Sequence, residues 1–244
     1  MNLILFNTAA EAEVIAANDP RAKHIREVLR LGVGDPIYVG VVDGVRGLGK
    51  IVESLPGGGV RLDVAWEKNP PITHPIRLLV GVPRPQTARR VLFDAACLGV
   101  MGLDFFQAEK GEPSYAKSKL WSTDEWRERL WQGAEQGFAT QLPPVQHFKD
   151  LAAALEDRKS LAGGIEECFA LDVYEGVDQL SALNTNTDTP TTLAIGAERG
   201  WSAKERDQLR AAGFQLASLG ERVLRTESAC QCGVSVLLAG WGRM

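Results

Sequence analysis

The chain has 244 residues, of which 45% are hydrophobic and 24% charged, enough apolar material for one large core or two modest ones. A formal charge of −4 and a pI near 5.5 argue against a general nucleic-acid binder held by net charge alone. No apolar run is long enough for a membrane span, "MNLILFN" is too short and uncharged for a signal peptide, and four cysteines without C-x-x-C spacing (Cys97, Cys168, Cys230, Cys232) fit reduced thiols in a cytoplasmic protein better than a metal site.

The first seventy residues read as β-rich. Asp19-Pro20 opens a short helix expected to run through Leu31 and to end at Gly32 and Gly34. "DPIYVGVVDG" and "RGLGKIVESL" are strands joined by the hairpin signal Asp43-Gly44, and "GGGVRLDVAWE" adds another. Together they predict a small β-barrel-like module. "EKNPPITHP", with Pro70, Pro71 and Pro75, breaks the pattern and marks a linker.

Beyond it the pattern alternates. "IRLLVGV" is a buried strand, and "QTARRVLFDAACLGV" is a helix with apolar Ala88, Val91, Leu92, Ala95 and Cys97-Leu98, closed by Gly99. "GLDFFQA" is the next strand. "STDEWRERLWQGAEQG" is an amphipathic helix, with Ser122 and Glu125 spaced as a capping box and Trp126 and Trp131 in a core or an interface. "CFALDV", "TTLAIGA" and "FQLASLG" complete the strands, "NTNTDTPTT" is a polar surface loop, and the apolar run from Val234 to Ala239 is a packed helix. The fold class is α/β: a mostly parallel sheet with helices on both faces, preceded by the β module.

Ligands of such sheets bind beyond the carboxyl ends of the strands. Two strands here end in glycine loops that open onto helices. The first carries Ile195, Gly196, Glu198 and Gly200, then a helix capped by Ser202 with Glu205 three residues on. The second carries Leu219, Gly220, Val223, Leu224, Arg225, Thr226 and Glu227. Paired glycine loops at helix N-termini make a backbone-lined pocket for a polar, nucleotide-sized ligand, although neither is a G-x-G-x-x-G or a Walker loop. Thr226 is the expected cap of the last helix, and Glu227 complements its positive end. Arg225 is electrostatically misplaced there, which points to a partner, either a carboxylate such as Glu227 or Glu198 or a ligand. Two basic clusters, Arg21, Lys23, Arg26 and Arg30, then Arg84, Arg89 and Arg90, read either as solvated helix faces or as phosphate contacts.

The run from Leu219 to Ala229, L-G-E-R-V-L-R-T-E-S-A, resembles the motif L-G-x-R-[IV]-L-R-x-E-T-A of the ribosomal small-subunit methyltransferase E family of SPOUT methyltransferases. Gly196-Ala197-Glu198-Arg199-Gly200 resembles that family's G-P-E-G-G loop. "HIREVLRLGVGD" (24–35) is similar to the signature of its N-terminal PUA-like barrel, and "AEQG" and Pro143 fall in family positions, so the resemblance covers nearly the whole chain in order.

The resemblance implies S-adenosylmethionine-dependent methylation of N3 of a uridine in 16S ribosomal RNA. It further implies a PUA-like RNA-binding barrel over 1–70, a SPOUT domain over 76–244 with a trefoil knot, and a homodimer with its active site near the subunit boundary. The small ribosomal subunit or its RNA is the partner, and no metal or membrane is involved. On this reading Ile195, Gly196, Gly200, Leu219, Gly220, Val223, Leu224 and Arg225 hold the cofactor. Arg225, Glu227 and Glu198 carry the chemistry, and the two basic clusters contact RNA. Departures from the family pattern are Ala197 and Arg199 in the first loop, Cys97, Ala139, and the missing N-terminal arginines. If Arg199 replaced a glycine of positive φ it would cost roughly 1 kcal/mol. A methyltransferase of this fold acting on another RNA, or a non-catalytic RNA-binding paralogue, stays open on sequence alone.

Overall fold

The computed structural model describes residues 3–161 and 166–244; Met1 and Asn2 of the N-terminal stretch lie outside the described residues. The chain forms two units, Met1–Ile72 with Trp131–Leu142, and Thr73–Leu130 with Pro143–Met244.

In the first unit the elements run β1 (Leu3–Phe6), α1 (Ala9–Glu13), β2 (Val14–Ile15), α2 (Pro20–Lys23), β3 (Pro36–Val41), β4 (Arg46–Ser54) and β5 (Val60–Trp66). They make one sheet in the order β1-β3-β4-β5-β2, with β1 and β3 parallel and the other neighbours antiparallel. Among the described residues the two edges, β1 and β2, do not pair with each other, so the sheet is a curled half-barrel rather than a fully closed one. Side chains alternate across a strand, and β1 uses both faces. Ile4 and Phe6 enter a core with Ile15, Ile25, Val39, Ile51 and Leu62, whereas Leu3 and Leu5 pack with Ala134, Trp131 and Phe138. The Leu5 N–H donates to the Glu135 carboxylate at 3.0 Å, and the Trp131 indole donates to the same oxygen at 3.1 Å. Residues 131–142 therefore close the second face of this sheet.

The helix expected to reach Leu31 stops earlier. After α2 the chain makes one π-helical turn, His24–Val28, and Arg30 takes a left-handed φ of +56° that reverses it before Gly32 is reached. The Leu31 N–H then satisfies the Ile25 carbonyl at 3.0 Å, which closes the helix end as a glycine would have done.

The second unit runs β6 (His74–Gly81), α3 (Pro85–Cys97), β7 (Val100–Phe106), α4 (Lys119–Ser122), α5 (Glu125–Gly137, whose last turns belong to the first unit), β8 (Val145–Phe148), α6 (Leu151–Leu161), β9 (Glu167–Leu171), β10 (Asp178–Gln179), β11 (Thr191–Ile195), α7 (Ala203–Ala211), β12 (Gln215–Ser218) and α8 (Thr226–Gly240). The sheet order is β10-β12-β9-β11-β6-β7-β8, and every pair is parallel. A parallel sheet must be covered on both faces. Leu151, Ala154 and Leu155 of α6 and Leu209 of α7 pack with Leu79, Phe106, Ala170 and Leu216. Elsewhere α8 packs on α3 and β11, and Gly233 permits the close approach: a Cβ there would lie 2.6 Å from the Leu193 side chain.

The expected capping box at Ser122 does not form. Ser122 ends α4 instead, Thr123 Oγ1 accepts the Glu125 N–H at 3.3 Å, and the Glu125 carboxylate turns to Arg89 at 2.5 Å. An ion pair with a neighbouring helix outcompetes the local cap. Among the described residues no helix is long and apolar enough to cross a membrane.

Candidate functional site

A cleft of about 470 Å³ opens at the carboxyl ends of β9, β11 and β12, a volume suited to a small organic ligand. Its walls are Leu171 to Tyr174, Ile195 to Trp201, Leu219 to Gly220 and Arg222 to Glu227, with Arg84 and Thr87 from the start of α3.

The first glycine loop is a tight turn. The Gly200 N–H donates to the Ala197 carbonyl at 2.8 Å with Gly200 at φ +65°. Arg199 is not among the residues of positive φ, so the strain expected there is not incurred. The left-handed position belongs to Gly200. Ala197 is buried against the end of β6, where a Cβ on Gly81 would approach the Ala197 nitrogen to 2.7 Å. Exposed Glu198 accepts the Arg84 N–H at 2.8 Å, which ties the loop to the start of α3. Behind it Trp201 stacks on Phe106 and donates its indole N–H to the Leu171 carbonyl at 2.9 Å. The capping box expected at Ser202 is present: its hydroxyl accepts the Glu205 N–H at 3.0 Å, and Glu205 accepts the Ser202 N–H at 2.8 Å.

In the second loop Gly220 stands at φ +104°, and a Cβ there would meet no protein atom within 4 Å. Val223 and Leu224 are 72% and 38% exposed although apolar. The start of α8 corrects the sequence reading. Arg225, at φ −68° and ψ 156°, is itself the N-cap residue without a side-chain cap bond, and Thr226 is the first helical residue, buried. Glu227 is buried as well and pairs with Arg90 at 2.9 Å. Arg225 is exposed and forms no ion pair among the described residues, so neither Glu227 nor Glu198 is its partner.

Sequence reasoning missed the third wall. Asp172, just past β9, is 5% exposed. Burial pushes its carboxyl up, but hydrogen bonds from the Arg206 guanidinium and the Tyr174 and Glu175 N–H groups, with the Arg206 charge, hold it below the usual carboxylate value. The available signal was an aspartate ending an apolar strand and followed by the turn residues Glu175-Gly176.

The cleft thus brings together Ile195, Gly196, Glu198, Gly200, Leu219, Gly220, Val223, Leu224, Arg225 and Glu227, with Arg84. Arg89 is occupied by Glu125 and Arg90 by Glu227. In the first unit Arg21 is clamped by Asp19 at 2.6 Å, lies over the Phe6 ring at 4.1 Å and donates to the Leu5 carbonyl. Arg26 donates to the Gly58 carbonyl. Lys23 is exposed and sits 3.8 Å from Glu27, and Arg30 is exposed without an ion pair among the described residues. The four cysteines are free thiols, and no cluster of three or more metal-ligating side chains occurs among the described residues.

Residues 69–238 match the family described as the RNA methyltransferase domain. The chain is 30% identical over 243 residues to the ribosomal RNA small subunit methyltransferase E of Treponema pallidum, covering 98% of this chain and 91% of that one. It is 27% identical over 235 residues to the ribosomal RNA small subunit methyltransferase E 1 of Borreliella burgdorferi, covering 94% of each. The crystal structure of a ribosomal RNA small subunit methyltransferase E from Neisseria gonorrhoeae, bound to S-adenosyl methionine, superposes with a TM-score of 0.78 at 20% identity, covering 99% of this chain and 98% of that one.

Proposed function

The chain belongs to the RNA methyltransferase family, among its ribosomal RNA small-subunit methyltransferase E members, and from that premise we propose that it transfers a methyl group from S-adenosylmethionine to N3 of a uridine in 16S ribosomal RNA. The observation that carries this is the cleft itself: two glycine loops at parallel strand ends, with an arginine at its mouth that has no ion pair among the described residues.

The residues present fit the cofactor. Gly220 leaves open space in front of a left-handed backbone, Val223 and Leu224 offer an apolar wall, and the loop amides offer donors. Ile195, Gly196, Gly200, Leu219, Gly220, Val223 and Leu224 would hold it, with Arg225 at the rim. When bound, it supplies a methyl carbon on a cationic sulfur; the N3–carbon bond forms as the carbon–sulfur bond breaks, sulfur leaves as a neutral thioether, and the N3 proton departs. The protein's part is positioning and charge stabilisation. Arg225 donates to a uracil carbonyl oxygen, where negative charge grows as N3 loses its proton. Glu198, which lines the cleft and accepts the Arg84 N–H, accepts that proton. Glu227, locked by Arg90, fixes the helix start that carries Arg225.

The knot belongs to the same proposal. Between β9 and β11 the chain detours through β10, and the later β12 lies between β9 and β10. Helix α8 then packs against Leu180–Ala182 of that detour, and the Trp241 indole donates to Thr185 at 2.9 Å. This path supports threading of the C-terminal segment through 172–190. A cytoplasmic homodimer belongs to the same proposal, and the exposure of Tyr174 and Val177 just past β9 supports its dimeric part. We assign the first unit the role of a PUA-like RNA-binding domain and the second that of the SPOUT domain.

Mass spectrometry of ribosomal RNA nucleosides from cells lacking the gene tests the assignment. Loss of 3-methyluridine, restored by the purified protein acting on that RNA, is the expected result. Unchanged 3-methyluridine would sink the target, and methylation of a different RNA would establish the same fold on another substrate.

A further inference from the structure

A second feature lies on the carboxyl side of the same sheet, at its far edge. Phe105 of β7 and His147 of β8 are register partners, and their rings lie nearly parallel, 5.5 Å apart at 19°. Trp121 of α4 covers both, 4.4 Å from His147 edge-on and 5.0 Å from Phe105. Phe105 is fully buried, Trp121 is half-buried and His147 is exposed on the edge strand.

Three observations separate this cluster from ordinary packing. Lys117, Lys119 and Lys149 flank it in the chain, all exposed, and none forms an ion pair among the described residues. The Trp121 indole nitrogen and Ser118 Oγ, both within four residues of Lys117, are buried and make no hydrogen bond among the described residues. Buried indole N–H and hydroxyl groups are normally paired, so these two mark a short segment whose hydrogen bonds are not completed among the described residues. Finally, β8 stands three strands from β11, about 14 Å along the sheet at ordinary strand spacing, with its end facing the same way as the cofactor cleft.

Aromatic rings interleaved with unpaired lysines are what single-stranded nucleic acid requires: π-faces for the bases and cations for the phosphates. We propose that Trp121 and His147 form a stacking platform for an unpaired base of the RNA substrate, a few nucleotides from the methylated one, with Lys117, Lys119 and Lys149 on its phosphates. This rests on the function proposed above and adds to it a second contact point that fixes which nucleotide reaches the cleft.

The test uses the full chain, measuring affinity for protein-free 16S ribosomal RNA and for assembled small subunits, alongside S-adenosylmethionine affinity by calorimetry. His147→Ala and Trp121→Ala should each weaken binding to protein-free RNA roughly tenfold, Trp121→Phe by much less, and cofactor affinity should not move. The triple change Lys117→Gln, Lys119→Gln, Lys149→Gln should flatten the salt dependence of RNA binding. Because Trp121→Ala removes packing, the substitution at exposed His147 decides the question if the tryptophan variant is unstable. RNA affinity unchanged in His147→Ala, in a protein that still binds RNA and cofactor, overturns the platform and leaves the methyltransferase reading intact. Losses confined to assembled subunits assign the patch to a ribosomal protein and also overturn it. Failure of the unaltered protein to bind either RNA or cofactor would instead defeat the function on which the platform rests.

Discussion

Glu227 on the first turn of α8 is held by Arg90 of α3 at 2.9 Å, and this pairing leaves Arg225, two residues earlier, with no carboxylate of its own among the described residues. A cation at a helix N-terminus is disfavoured, and the function proposed above supplies the ligand that would offset this. Arg225→Ala is accordingly expected to lower the rate of methyl transfer by about 10²- to 10³-fold, the usual cost of losing one donor to a developing oxyanion. RNA affinity should change little. Single-turnover transfer to ribosomal RNA, measured beside filter binding, separates the two; equal loss of both would make Arg225 a binding residue only.

Gly220 tests the cofactor wall. At φ +104° a side chain is strained whatever space it finds, and here the space in front of it is the cleft. Gly220→Val should abolish detectable S-adenosylmethionine binding by calorimetry while the protein stays folded by circular dichroism. Retained affinity in a folded variant would move the cofactor elsewhere.

Asp172 makes a pH-dependent contribution to stability. Its folded pKa is depressed, so the stabilisation is complete above the unfolded value of about 3.9 and is lost as the pH falls through the lower folded value. Removing one partner of a buried pair typically costs about 3 kcal/mol, and Glu175, the second partner of Arg206, softens this. Asp172→Asn should therefore lower the urea midpoint clearly at pH 7, and its deficit should shrink as both proteins are acidified below about pH 4. A deficit independent of pH would place the cost in packing instead.

The sheet was legible because its central strands are continuous apolar runs: every residue of Thr191–Ile195 is buried. Val145–Phe148 at the edge is only half-buried and lacks alternation, and Asp178–Gln179 is two exposed polar residues, so neither carries a pattern that distinguishes a strand from a loop. The glycine loops announced the cleft through local rules, as did the capping box at Ser202. Asp172 did not, because its significance comes from Arg206, which reaches it from a helix 34 residues further on. The same limit applies at Ser122, where a partner on α3 overrode a cap that local spacing favoured.

The basic run of the first unit divides by what each cation already touches. Arg21 is engaged by Asp19, Glu11, the Phe6 ring and the Leu5 carbonyl, and Arg26 by the turn at Gly58. Both act within the fold. Lys23 has only a long, exposed contact to Glu27, and Arg30 has no ion pair among the described residues, so these two can meet phosphate without breaking anything. Lys23→Gln with Arg30→Gln should weaken binding to ribosomal RNA severalfold and reduce the slope of log affinity against log salt by one to two, about one per lost contact, with the urea midpoint unchanged. Arg21→Gln should do the reverse: it strands two carboxylates and a buried ring, lowering stability by about 1–3 kcal/mol, with RNA affinity close to that of the unaltered protein wherever the variant is folded. If Arg21→Gln flattened the salt dependence and the double change did not, the phosphate surface would lie on the face now assigned to the core.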